Sequence, residues 1–131
     1  MAILIKCNAS DLVLGDIQTF TLRKEKRVGL TRGQEAFIWI SEQPREGRPN
    51  EPGGLRMRSE IIDWEPADPK TTVSVRVTER LPEGLGMNAF LGRDRGGAVP
   101  PDFRSKIGFR HRRIWGLSPA ERQALHAVFA G

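Results

Sequence analysis

Thr71-Thr72-Val73-Ser74-Val75-Arg76-Val77-Thr78 alternates valine with polar residues and is the clearest period-two run in the chain. A strand sends successive side chains to opposite faces, so Val73, Val75 and Val77 share one face and Thr72, Ser74, Arg76 and Thr78 the other. Upstream, Glu35–Ser41 (EAFIWIS) is almost continuously apolar, which marks a strand buried on both faces. Ile17–Lys24 (IQTFTLRK) alternates, and Met1–Cys7 reads as a short apolar strand. Leu55–Trp64 (LRMRSEIIDW) lies between the loop Gln43–Gly54, with its three prolines and three glycines, and the turn Glu65–Pro69. Short strands at this spacing, divided by turn chemistry, predict a small barrel.

After Arg80 the texture changes. Leu81–Asn88 (LPEGLGMN) is an extended, Pro/Gly-punctuated segment, and Ala89–Gly92 has room for one helical turn. Arg93–Pro101 is a loop, 103–109 a short helix and 110–115 a final strand. Pro119–Phe129 is a helix with Leu125, Val128 and Phe129 on its inner face. Ser118 caps it, Pro119 suits the first helical position, and Glu121 completes a capping box. The fold class is therefore α+β: a small mixed β-barrel with a few short helices, including a C-terminal one, in one domain over 1–131. No internal repeat is visible.

At 131 residues such a domain buries a core without disulfide or metal. Lys and Arg outnumber Asp and Glu by 21 to 16, for a net charge of +5, and sixteen of the cations are arginine. The guanidinium fork matches phosphate and stacks on bases, although a high-GC genome enriches arginine as well. The single cysteine, Cys7, forms no internal disulfide and fits a reducing, cytoplasmic setting. The opening MAILIKCNASD lacks the logic of a signal peptide, and no run approaches the ~20 apolar residues of a membrane span. His111 and His126 form no zinc spacing with Cys7, so no metal and no cofactor are expected. Nucleophile elbow, P-loop, HExxH and dinucleotide fingerprint are all missing, which favours a binding domain over a catalyst.

Arg104–Trp115 (RSKIGFRHRRIW) concentrates the basic side chains. Arg110, Arg112 and Arg113, interleaved with Phe109 and Trp115, are the strongest candidates for phosphate contact. Arg56 and Arg58 share a strand face with Glu60 and either hold phosphate or pair with carboxylates across the sheet. Trp39 lies on the face opposite Ile38 and Ile40, as a base-stacking side chain or a core residue. Trp64 ends a strand, as a rim platform or a plug. Ser41 and Glu42 supply polar groups beside Trp39.

The order of these segments resembles the EVE domain of the PUA-like superfamily. Ile5-Lys6-Cys7 is similar to its opening strand and Ala36–Ser41 to its central aromatic strand. Gly53-Gly54-Leu55, Trp64-Glu65-Pro66-Ala67-Asp68-Pro69 and Val73–Val77 running into Leu81-Pro82 follow its next elements. Arg112-Arg113-Ile114-Trp115 through Ser118-Pro119-Ala120-Glu121 resembles its closing segment. Ile3-Leu4 stands where the family has an aromatic pair, and its segment before the aromatic strand is nearly absent. The resemblance implies a barrel with a concave pocket for DNA or RNA, in relatives often for a modified base. Trp39 would stack, with Ser41, Glu42 and Trp64 at the ligand, and Arg56, Arg110, Arg112 and Arg113 would hold phosphates. The related ASCH branch implies a different use of the pocket, amide or nucleoside hydrolysis by Lys6, Thr21 and Glu42. A protein-interaction module with a partner enzyme is a third reading.

Overall fold

The computed structural model describes residues 1–8, 12–13, 15–23, 29–41, 53–65, 70–93, 103–108 and 113–130. β1 (Ile3–Asn8) and β3 (Glu35–Ser41) are parallel, in register from Ile3 opposite Ala36 to Asn8 opposite Ser41. β4 (Gly54–Glu65) pairs antiparallel with β3, β5 (Lys70–Leu85) with β4, and β2 (Ile17–Arg23) with β5. β6 (Ile114–Gly116) adds antiparallel to the free side of β1. The sheet runs β2-β5-β4-β3-β1-β6 and curls into a half-barrel. Among the described residues no pairing joins its end strands β2 and β6.

Both faces of the central strands are covered. Ile3, Ile5, Ile38, Ile40, Phe20, Val73 and Val75 fill the inner side. On the outer side Leu4, Phe37, Trp39 and Leu55 pack with Phe90 of α1 (Met87–Arg93), Phe103 of α2 (Phe103–Gly108) and Leu125 of α3 (Pro119–Ala130). The apolar continuity of EAFIWIS follows from this, because a strand between two cores has no solvent side to mark.

Two elements differ from the sequence reading. Thr71–Thr78 and the following LPEGL are one strand, Lys70–Leu85. Leu81–Glu83 and Gly84 have no register partner in β4, so Pro82 costs the ladder no hydrogen bond. The described part of the final strand is Ile114–Gly116, and 109–112 lie outside the described residues. At the start of β4 the backbones of β4 and β5 come together. Gly54 has φ 118°, and a Cβ there would overlap the Leu85 carbonyl.

The capping box of α3 forms as expected. Ser118 N–H donates to Glu121 Oε1 (2.9 Å) and Glu121 N–H to Ser118 Oγ (3.2 Å). Glu35 joins the helix to the sheet by accepting from Arg122 Nε and from Arg58 Nε, each at 2.7 Å. Burial alone would raise the Glu35 pKa, but the hydrogen bonds and charges of Arg122 and Arg58 outweigh it and hold the pKa below its ordinary 4.5.

Two stability measurements test this frame. Gly54→Ala should lower stability by more than about 2 kcal/mol, read as a fall in the urea midpoint, because strain and overlap add at one position. Glu35→Gln should cost about 1–2 kcal/mol at neutral pH. A depressed carboxylate stabilises the fold above its unfolded pKa and loses that contribution as pH falls through the folded value. Wild type and Glu35→Gln should therefore converge in acid; a gap that persists there refutes the ionic role.

Candidate nucleic-acid interface

Because β1 and β3 are parallel, they end together, and their last register pair is Asn8 with Ser41. The chain leaves this end at Ser41 and returns at Gly54, opposite Ile40, while Leu85 of β5 stands opposite Leu55. α1 and α2 cover the outer side here. Trp39 is 4% exposed, with ring centroids of Phe90 and Phe103 at 6.0 and 6.2 Å and nearly perpendicular to it. Phe90 and Phe103 lie 5.5 Å apart and tilted to each other, so each meets the indole edge-to-face and together they enclose it. That is the core arrangement of the two that the alternation of β3 allows.

Lys6 stands in register with Trp39 and is also 4% exposed. Its Nζ donates to the Ile107 carbonyl of α2 at 2.8 Å and lies 5.4 Å from the Trp115 ring centroid. A cation over an indole face gains from the ring quadrupole. Burial lowers the Lys6 pKa, and the charge of Arg113 lowers it further. Arg113 is half-buried beside it and accepts the Lys6 backbone N–H on its carbonyl (2.7 Å). Two cations are thus held close in a partly dry region.

Arg56 occupies a special place in β4. Trp39 and Ile38 are consecutive in β3 but oppose Leu55 and Met57, so Arg56 is an extra residue against β3. On the other side Leu55 and Met57 oppose Leu85 and Arg80, so Arg56 has no register partner in β5 either. Bulges of this kind bend a strand and re-aim its side chains.

Of the expected ligand residues, Trp39, Ser41, Arg56 and Arg113 gather around this end of the sheet. Trp64 does not: it is half-buried near the far end of β4, opposite Val73, and packs against the inner core. Glu42, Arg110 and Arg112 lie outside the described residues. Arg58 belongs to the ion-paired row, bound to Glu35 and to Glu79 (2.7 Å). Of the hydrolase set, Lys6 on β1 holds the Ile107 carbonyl, Thr21 is exposed on β2, and Glu42 lies outside the described residues. Among the described residues no three His, Cys, Asp or Glu side chains cluster as a metal site, and no helix is long and apolar enough to cross a membrane. The burial of Lys6 had one sequence signal, a lysine inside the apolar run ILIKC; its seat beneath α2 had none.

A groove of about 1000 Å³ lies at the opposite end, lined by Thr31, Arg32, Gln34, Ser118 and Arg122 among others. Its polar groups are engaged with one another. Gln34 accepts from Thr31 N–H and donates to the Met1 carbonyl, Arg122 binds Glu35, and Ser118 and Glu121 cap α3. None of the expected ligand residues lines it.

No protein-family model matches the chain, and no curated protein matches it. Among solved structures it is similar to the human THYN1 protein in complex with 5-methylcytosine-containing DNA. The TM-score is 0.64 at 12% identity, over 99% of this chain and 98% of that one. The chain thus shares the EVE-type fold of that protein, matched over nearly the full length of both chains.

The lowered pKa of Lys6 gives a signed prediction. Between its folded value and the ordinary 10.5, the unfolded chain binds the proton more tightly, so stability should rise with pH across that window. Lys6→Met should remove this rise in urea titrations at stepped alkaline pH, while losing the donor to Ile107. Parallel pH profiles for the two proteins would show that Lys6 is not held dry.

Proposed function

We propose that this EVE-type domain binds nucleic acid at the sheet end where β1 and β3 terminate. The observation that carries the proposal is the pair of cations, Lys6 and Arg113, held together with partial loss of solvent. Like charges in low dielectric repel, and an anion brought between or beside them relieves that cost. Phosphate is the anion that the arginine-rich segment 104–113 fits, in its planar fork as well as its charge. In this reading Arg56, Arg110, Arg112 and Arg113 hold the backbone.

The finer proposal is that a base, in particular a modified one, is read at the same end. The shared fold supports it, since THYN1 is seen with DNA containing 5-methylcytosine. Ser41 and Glu42 are the polar groups that would read the edge of an unstacked base. Trp39, enclosed by Phe90 and Phe103, serves here as a wall that fixes β3 rather than as the stacking face. Phosphate contacts position the strand and base contacts specify it, so the two halves of the proposal separate experimentally.

Fluorescence anisotropy with matched modified and unmodified DNA and RNA, titrated across salt, is the test. Salt-sensitive binding supports the domain-level reading, and a preference for the modified base supports the finer one. Arg112→Ala with Arg113→Ala should weaken binding to every sequence and reduce the salt slope by about 2 on duplex DNA. An unchanged slope removes both from the phosphate contacts, and no binding at low salt removes the function.

A further inference from the structure

Helices α1 and α2 (MNAFLGR and FRSKIG) contain Arg93, Arg104 and Lys106 and neither Asp nor Glu. In a chain where 16 acidic residues stand against 21 Lys and Arg, these two elements are cationic without internal compensation. On their buried side the helices are fastened by Phe90 and Phe103, which lie 5.5 Å apart and both meet Trp39. In solvent they are joined again: Arg104 Nη2 donates to Asn88 Oδ1 at 2.6 Å, and both residues are exposed.

Arg32, Arg58, Arg76, Arg80 and Arg122 each engage a carboxylate. Arg104 has no carboxylate partner among the described residues and is held by a neutral amide instead. The difference is electrostatic. A carboxylate fixes a guanidinium and cancels its charge, whereas a carboxamide oxygen fixes it and leaves the charge whole. One N–H donor is used, and the others stay available in a planar fork of set orientation. A long side chain restrained in advance loses less rotamer freedom when a phosphate arrives. The same helix supplies the Ile107 carbonyl that receives Lys6 Nζ, so α2 joins Arg104 to the Lys6 and Arg113 cations.

We infer that Arg104, positioned by Asn88, is a phosphate contact of the nucleic-acid interface, which thereby runs from the β1–β3 end across the seam of α1 and α2. The inference rests on the nucleic-acid reading above and extends it to two residues on the covering helices. Arg104 meets the backbone of the nucleic acid and not a base edge, so its contribution is the same for every sequence and every modification. Asn88 acts through Arg104, by keeping the fork turned outward with its charge intact.

Anisotropy titrations of a DNA duplex containing 5-methylcytosine and of its unmodified counterpart, over a salt series, test this. Circular dichroism confirms that each variant folds. Arg104→Ala should weaken binding about tenfold at low salt and reduce the salt slope by about 1, equally for both duplexes. Asn88→Ala keeps the charge, so it should weaken binding at an unchanged slope and add nothing in the Arg104→Ala background. If Arg112→Ala with Arg113→Ala lowers the slope and Arg104→Ala does not, this inference fails and the reading beneath it stands. A loss confined to the modified duplex makes Arg104 a base contact and overturns the backbone role. An Asn88→Ala variant that binds like wild type, or whose loss adds in full to that of Arg104→Ala, overturns the positioning role. A wild type that binds neither duplex at low salt overturns both the inference and the reading.

Discussion

Burial of the β1–β3 pair on both faces is the constraint around which the domain is arranged. A strand pair with no solvent side must be apolar at nearly every position, and Ile3–Ile5 and Ala36–Ile40 are. It also needs a second layer, and α1, α2 and α3 supply one from the second half of the chain, each with an aromatic or leucine anchor. Lys6 is a charge admitted between the layers, and its ammonium meets a helix carbonyl and an indole face there. A buried charge persists only where such partners exist.

The described arginines do not share one environment. Arg32, Arg58, Arg76, Arg80 and Arg122 each meet a carboxylate, and Arg58 meets two. Most of these pairs are exposed and contribute little individually, although the half-buried Glu35 node ties three elements together. Arg113 stands instead beside another cation. These five arginines are engaged within the fold, so the functional reading rests on position rather than on net charge.

The strands were legible where local pattern and tertiary environment agree. Thr71–Thr78 alternates because one side faces the inner core, and EAFIWIS does not alternate because both sides are covered. Pro82 and Gly84 concealed the continuation of β5, since only the unmatched register of Leu81–Gly84 makes them tolerable in a strand. The candidate site was legible as residue types and not as an arrangement. Trp39 and Trp64 look alike in sequence, yet one is locked under helices and the other plugs the inner core far along β4. The bulge at Arg56 and the approach of Arg113 to Lys6 depend on pairing between distant segments, which no local window carries.

The position of β1 also orders events during synthesis. It precedes both of its neighbours in the chain, β3 and, on the other side, β6 at Ile114–Gly116. Until that stretch emerges, ILIKC has an unpaired edge, and Lys6 lacks the Ile107 carbonyl and Trp115 ring that receive its charge. Contacts so distant in sequence close slowly, and a half-made apolar strand is open to misassociation meanwhile. β1 thus stays incomplete until the segments up to β6 have been made, and a lysine within that strand is the charge it carries against premature stacking.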